Sequence, residues 1–430
     1  MSIMDSGLPR TLTIPGPSRE SVLEMPAIVN TAVALPGHVL EQEALEALVV
    51  AQLSANPEGG RNLAAKAKAI LAHAGVERRH VVRPPEWYLA QRSLTARNQV
   101  YCEEMIRLCE SAAGEALAGA GLVPGEVGMI ITTSCTGVMI PSVDAYLVNR
   151  MGFSPNVCRL PLTELGCAAG AVALGRAADY LRAWPDQAVL VISAELASLT
   201  AQVGDISMAN IVSVALFGDG VAATVLVGDR FHKGPQVHSG PQRGASSPAE
   251  AGAGAAHHDT DNGPGNVPGN GAGNGSGNGA NGARALPARI VATQSTLFPD
   301  TEDMMGFDLT DGGLKIFLRA KVPRFLRGEV PKVLLGFLAG HGLTPEHITH
   351  YLLHPGGPKV LGGISEQLGL QPEQTALSWR VLRDYGNLSS ATVLFLLHHF
   401  ERQASPNPGE WGLLMAVGPG FAMELVLLQW

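Results

Sequence analysis

Three side chains suited to acyl-transfer chemistry stand on glycine-punctuated turns beside apolar segments: Cys167, His354 and Asn387. Cys167 lies in LTELGCAAGAVALGRAADYL (162–181), after a glycine and before a run of small residues. The glycine permits a sharp turn, and the alanines let a helix start against packed backbone. A thiol at a helix N-terminus faces unpaired N–H groups and the positive end of the helix dipole. Both lower its pKa, so a thiolate is expected near neutral pH. The same position also suits a small buried core residue. His354 ends the apolar run YLLH and is followed by Pro-Gly-Gly-Pro, which cannot extend a strand. That places it at the C-terminal edge of a strand, where functional groups gather in layered α/β folds; an ordinary edge histidine fits too. Asn387, in LRDYGNLSSATVLFLL (382–397), is an N-cap type residue before an apolar helix, and capping alone would account for it. Together the three form an acyl-transfer set. The thiolate accepts an acyl group, and the imidazole and amide donate hydrogen bonds to a developing enolate or oxyanion.

The elements that must hold these turns are legible from periodicity. Strands are expected at 27–34, 127–133, 157–161, 188–193, 221–227, 288–293, 348–353, 411–417 and 421–428. Helical patterns cover 41–54, 62–74, 98–120, 142–151, 168–183, 314–328, 330–341, 358–368 and 388–403. Strands alternating with helices predict an α/β protein with layered sheets. The two parts of the chain echo each other. Gly166-Cys167 and Gly386-Asn387 each precede a helix, and Gly218-Asp219-Gly220 and Gly418-Pro419-Gly420 each lead into a strand. A duplicated fold is expected, each half placing one polar residue at a helix start.

Four segments follow: an irregular arm at 1–25, a first half at 26–233, an insertion at 234–287 and a second half at 288–430. Between Asp261 and Ala283, 15 of 23 residues are Gly or Asn, which predicts a flexible solvated insertion. His257-His258 within its flank would be a weak metal tract at best. The chain has 430 residues, of which 46% are apolar and 16% charged. That excludes global disorder. A net charge of −8 argues against nucleic-acid partners. Five cysteines without a CxxC pair point to free thiols in the cytoplasm, with no disulfide framework and no metal site. No secretory leader and no uncharged apolar run of about 18 residues is visible, so no membrane span is expected.

The motifs resemble those of a type III polyketide synthase, the chalcone-synthase-like family of the thiolase superfamily. LGCAAG around Cys167 resembles the nucleophile motif. LFGDGVAATVLVG (216–228), LLHPGGP (352–358), YGNLSSATVLF (385–395) and GPGFAMELVLL (418–428) resemble four further signature blocks in the same order. The resemblance covers roughly 25–232 and 286–430. It implies a thiolase-like five-layer αβαβα fold of two pseudo-duplicated halves, assembled as a homodimer.

It further implies that Cys167 carries the starter and growing chain as a thioester, paired with His354. His354 and Asn387 would hold the malonyl-CoA thioester carbonyl during loss of CO2, and the resulting enolate would attack the Cys-bound acyl group. Phe217 matches the gatekeeper between CoA tunnel and cavity. Lys66 aligns with a lysine that contacts CoA, while Ala69 and His73 replace the other two basic positions; Arg78 and Arg79 could compensate or form a solvated pair. Ile140, in the loop Cys135–Pro141, would reach the partner subunit's cavity, with a cis Ile140–Pro141 bond. Thr200, Met208, Ile211, Ser213, Ile316 and Ser389 would line the cavity. CoA thioesters are the substrates, and no other cofactor is implied. The stretch 297–314 resembles bacterial alkylpyrone and alkylresorcinol synthases, so a long-chain fatty acyl starter is expected. Cys135 leaves a malonyl-primed tetrahydroxynaphthalene-type synthase as the alternative. A ketoacyl synthase of type III, which uses a carrier protein, is a rival, as is an inert acyl-binding scaffold.

Overall fold

A computed structural model describes residues 25–55, 60–202, 204–232 and 286–430. In chain order the first half contains β1 (Ala27–Ala34), β2 (His38–Glu41), α1 (Gln42–Ala55), α2 (Gly60–Ala72), β3 (Arg78–Val81), α3 (Pro85–Tyr88), α4 (Leu94–Ala120), β4 (Val127–Ser134), α5 (Val143–Met151), β5 (Cys158–Thr163), α6 (Ala169–Ala183), β6 (Ala188–Leu196), α7 (Met208–Leu216) and β7 (Asp219–Val227). The second half contains β8 (Ala288–Leu297), β9 (Met305–Thr310), β10 (Gly313–Leu318), α8 (Val322–Gly340), β11 (Ile348–Leu353), α9 (Pro358–Gln367), α10 (Pro372–Tyr385), α11 (Thr392–Gln403), β12 (Trp411–Gly418) and β13 (Ala422–Gln429).

The duplication is visible in strand order. One half runs β4-β6-β7-β1, with β5 outside β4, and the other runs β11-β12-β13-β8. In both, the first pair is parallel and the next two are antiparallel. The halves join edge to edge where Ala27 and Ile28 face Arg289 and Ala288.

Side-chain alternation builds five layers from these strands. On β6, Val189 and Val191 point toward helices α6 and α11, while Leu190 and Ile192 point toward α4. On β12, Leu414 and Ala416 meet α6 and α11, while Leu413 and Met415 meet α8 and α9. The order is therefore α4, sheet, α6 with α11, sheet, α8 with α9. Burial on both faces is why AVLVISAEL of β6 is almost continuously apolar; all nine of its residues are buried. The two central helices approach closely because α6 is built from small residues. A Cβ on Gly170 would lie 2.2 Å from the Ser390 carbonyl.

Helix α4 shows how the outer layer is specified. Met105, Leu108, Ala112 and Ala116 recur at helical spacing on its buried face. Ser93 caps it, accepting from Ala96 N at 3.2 Å, and Gly121 in the left-handed region ends it.

Two expectations are corrected. The helix expected at 314–328 does not exist as such. Residues Gly313–Leu318 pair with Met305–Thr310 as a hairpin, and the remainder joins the expected 330–341 helix in one continuous α8 that runs through Pro331. Leu314, Ile316 and Leu318 alternate as a strand, and cross-strand pairing decided between two periods that a short apolar run cannot separate. Helices α7 and α10 and the β2–β3 ribbon were not anticipated. Most of the 1–25 arm and nearly all of the 234–287 insertion, including His257 and His258, lie outside the described residues. Among the described residues, no helix is long and apolar enough to cross a membrane.

Candidate active site

Two short 3-10 turns face each other at the starts of the central helices. Gly166–Ala168 precedes α6 and Ser389–Ala391 precedes α11. Gly166 adopts φ 52°, and a Cβ there would lie 2.5 Å from Pro419 Cδ, so the turn bearing Cys167 fits against the Gly418–Gly420 turn only with glycine. Ser389, a non-glycine residue, is held at φ 50°. That conformation costs about 1–3 kcal/mol and persists only where the surroundings enforce it. Here it sets Ser389 Oγ between two thiols, 3.5 Å from Cys167 Sγ and 3.6 Å from Cys135 Sγ.

Asn387 is 2% exposed. Its Oδ1 accepts from Ser389 N at 2.8 Å, which closes an Asx turn two residues long, and its side chain lies near enough to the Cys167 thiol to favour the thiolate. It is thus not the cap of α11; Ala391 occupies that position. Its backbone is fixed by Phe217's segment. Asn387 N donates to Leu216 O at 2.8 Å, and Gly218 N donates to Asn387 O at 3.1 Å. Phe217 and Asn387 form a parallel bridge. Gly386, at φ 74°, admits this approach, since a Cβ there would lie 2.6 Å from Leu216 O.

His354 continues the β11–β12 ladder, its N–H donating to Met415 O at 2.8 Å. It is 4% exposed, and neither ring nitrogen has a hydrogen-bond partner. Burial holds its imidazole neutral, with the pKa down at about 4. Burial also pushes the Cys167 thiol up to about 11, against the opposing hydrogen bonds from Ser389 and Asn387. Burial thus opposes the low thiol pKa expected at a helix start. No hydrogen bond joins the two side chains among the described residues. Loss of water penalises both charged forms more than the turn's N–H groups favour the thiolate.

Sequence reasoning missed Glu195, the lone acid in the apolar strand β6. Its position in AVLVISAEL was the available signal. Glu195 is fully buried, and its carboxylate accepts from Ser390 Oγ at 2.5 Å, Thr136 Oγ1 at 2.9 Å and Cys135 N at 3.1 Å. Burial raises its pKa, and these donors partly offset the rise. Cys135 Sγ also lies 3.6 Å from the carboxylate, which together with burial raises that thiol's pKa. Cys167, Ser389, Cys135, Glu195 and Thr136 thus form one contact chain.

Arg79 corrects another expectation. It is not part of a solvated pair but 2% exposed. Its Nη1 donates to Val214 O at 2.7 Å and Phe217 O at 2.9 Å, and Nη2 donates to Ala215 O at 2.9 Å and to Gln42. It therefore caps the C-terminal end of α7 and holds Phe217 in place. Arg78 is exposed and lies 3.6 Å from Asp384.

One cavity reaches Phe217 and a smaller one reaches Thr136. The larger lies between α1, the β2–β3 ribbon and α7; Leu40, Leu45, Val49, Leu53, Ile211 and Phe217 line it, with Ser213 at its wall. The smaller lies under the β9–β10 hairpin and includes Thr136 and Thr200. Met208 is exposed on α7. Ile316 is buried on β10 opposite Phe307 and lines neither cavity. Lys66 is exposed on α2. Ile140 is 92% exposed, and the Ile140–Pro141 bond is cis.

Comparison with known proteins follows the same division into halves. Residues 24–230 match the N-terminal domain, and residues 289–430 the C-terminal domain, of the chalcone and stilbene synthases. A 1,3,6,8-tetrahydroxynaphthalene synthase of Streptomyces peucetius is 36% identical over 404 residues, spanning 94% of this chain and 92% of its own. The alpha-pyrone synthesis polyketide synthase-like Pks18 of Mycobacterium tuberculosis is 29% identical, over 77% of this chain and 72% of its own. The crystal structure of tetrahydroxynaphthalene synthase from Streptomyces coelicolor superposes with a TM-score of 0.77 at 28% identity, covering 94% of this chain and 99% of that one. Every turn that carries the site falls inside the two matched segments, and the chain belongs to the chalcone and stilbene synthase family as a type III polyketide synthase, an acyltransferase.

Proposed function

We propose that Cys167, His354 and Asn387 carry the decarboxylative condensation of malonyl-CoA onto an acyl starter. The meeting of the Cys167 turn with the Asn387–Ser389 turn carries this reading. Cys167 Sγ attacks the thioester carbonyl of the starter, its proton passes by way of His354 to the sulfur of the departing CoA, and CoA leaves as the thiol. A malonyl-CoA then places its thioester carbonyl oxygen against Asn387 and His354. The carboxylate departs as CO2, and its bonding electrons form the enolate that those donors stabilise. The enolate carbon attacks the Cys167-bound carbonyl and expels the thiolate. The product is a CoA thioester longer by two carbons, which reloads Cys167 for the next cycle.

Burial in a neutral pocket suits this scheme. A dry site of apolar walls, with Phe217 beside Asn387, favours loss of the malonyl charge as CO2. Lys66, exposed on α2, is the proposed contact for CoA phosphates. The larger apolar cavity beside Phe217 supports a fatty acyl starter, extended and cyclised to an alkylpyrone or alkylresorcinol. A malonyl starter is the second reading, favoured by Cys135 at the site and by the tetrahydroxynaphthalene synthase relatives. Ile140, exposed on its loop, is the proposed contact of a homodimer. A cytoplasmic location is proposed with it, since CoA thioesters are intracellular metabolites and all five cysteines are free.

The test is mass spectrometry of products and of acylated enzyme, using malonyl-CoA and starters of rising chain length. Acyl adducts on Cys167 and two or three extensions of a long-chain starter are expected. Products from malonyl-CoA alone would support the second reading. Absolute dependence on an acyl carrier protein would refute both.

A further inference from the structure

Helix α4 presents two side chains to the loop beside the nucleophile, and the condensation scheme uses neither. Asn98 and Tyr101 stand three residues apart on one face of the helix, near its N-terminal end. Against them runs the segment Ser134–Val138, which leaves the end of β4 and carries Cys135. Tyr101 is 3% exposed, and its hydroxyl donates to Ser134 Oγ at 2.8 Å. A Cβ built on Gly137 would lie 2.4 Å from the Tyr101 ring, so the loop backbone rests directly on that ring and only glycine permits it. One residue further on, Asn98 reads the backbone as a neighbouring strand would. Its Oδ1 accepts from Val138 N and its Nδ2 donates to Val138 O, both at 2.8 Å. The two side chains therefore hold the loop at Ser134, Gly137 and Val138.

The other side of the same loop faces the site. Ser134 Oγ, Cys135 N and Thr136 Oγ1 donate to one oxygen of Glu195, at 3.5, 3.1 and 2.9 Å. Ser134 accepts from Tyr101 and donates to Glu195 through one hydroxyl, which links the tyrosine in series to the buried carboxylate. Three consecutive residues can converge on one oxygen in only a narrow range of loop placements. That placement also sets Cys135 Sγ 3.6 Å from Ser389 Oγ, which lies 3.5 Å from Cys167 Sγ.

We propose that Tyr101 and Asn98 are positioning residues for the reaction at Cys167, holding the Ser134–Val138 loop where Cys135 abuts Ser389 and Glu195 receives its three donors. Neither side chain hydrogen-bonds to Cys167 among the described residues. Both act through the loop, on the steps that take place at the thiol. The inference rests on Cys167 as the nucleophile but on neither choice of starter.

The experiment compares wild type, Tyr101→Phe, Asn98→Leu and Asn98→Gln. Cysteine labelling by iodoacetamide is read by peptide mass spectrometry, and turnover is measured with one acyl-CoA starter and malonyl-CoA. In Tyr101→Phe and Asn98→Leu, labelling of half-buried Cys135 should rise about threefold to tenfold, the scale of one lost hydrogen bond, while that of buried Cys109 on α4 stays unchanged. The kcat should fall by a similar factor with KM for malonyl-CoA unchanged. Asn98→Gln keeps the amide's donor and acceptor and should restore much of both. Wild-type labelling of Cys135 in the two variants overturns the proposal, and so does faster labelling with unchanged kcat, since the loop then moves without consequence at Cys167. An equal rise at Cys109 also overturns it, marking a general loosening around α4. If Asn98→Leu does not fold, Tyr101→Phe, which loses one oxygen only, decides by the same readouts. Wild-type enzyme that forms no acyl adduct on Cys167 instead sinks the condensation scheme, and Cys135 labelling still decides what holds the loop.

Discussion

At the residue scale, the site works through burial. Cys167 and His354 are enclosed, and each is held neutral by the loss of water. With a thiol pKa near 11, the thiolate fraction grows tenfold per pH unit through neutrality. Alkylation of Cys167 in the substrate-free enzyme should therefore rise steadily from pH 7 to 9 without a plateau. A rate already flat above pH 6 would show instead that His354 keeps the thiolate as an ion pair. Cys167→Ala should abolish product, and chain elongation by that variant would refute the nucleophile's role. Asn387→Ala should lower the condensation rate by roughly 10²–10³-fold, as expected for a lost enolate donor, when followed by CO2 release. Cys167, His354 and Asn387 were legible in the sequence because each is flanked by the glycines its turn requires. Glu195 was not, because one acid in a strand says nothing of its partners until Thr136 and Ser390 are folded onto it.

At the scale of elements, the site depends on contacts between turns that are far apart in sequence. Arg79, on β3, ties together Val214, Ala215 and Phe217 at the end of α7, and Phe217's segment in turn fixes Asn387.

 Replacing this guanidinium with an apolar side chain strands three carbonyls. Arg79→Met should cost roughly 3 kcal/mol or more of stability, visible as a lowered melting temperature. In those molecules that still fold, product release and extension should slow through a loosened Phe217, whereas a variant with wild-type melting and kinetics would refute the capping role. The Gly166 turn admits a sharper test. Gly166→Ala places a Cβ against Pro419 at a positive φ, so acylation of Cys167 should fall more than overall stability does. Equal acylation rates in the two proteins would contradict this. The strands at 27–34 and 348–353 were legible to the residue, because β-branched and apolar side chains dominate them and prolines and glycines bound them. The hairpin Met305–Leu318 was not, since its short apolar run fits a helix equally well until its partner strand is known.

At the scale of the whole molecule, two similar halves are packed around two central helices, and the site lies where their N-terminal turns meet. The Gly/Asn-rich composition of 261–283 includes few apolar side chains. Deleting about 239–284 should therefore leave melting temperature and product yield near wild type; loss of soluble protein would show that the insertion is structural. Ile140 is the most exposed of the large apolar side chains among the described residues. Ile140→Asp should shift the protein from dimer to monomer in size-exclusion chromatography, and an unchanged elution volume would count against the proposed interface.

The sequence by itself determined the layered α/β class, the doubled order of motifs and the three candidate side chains. These follow from local chemistry: strand burial, glycine at turns, and nucleophile or donor groups at helix starts. Only the tertiary structure decided the protonation state of Cys167 and His354, because desolvation depends on what encloses a group and not on its neighbours in the chain. The same holds for the Glu195 network and the Arg79 clamp. Each joins residues tens to hundreds of positions apart, and the distances that give them meaning exist only once the chain has folded.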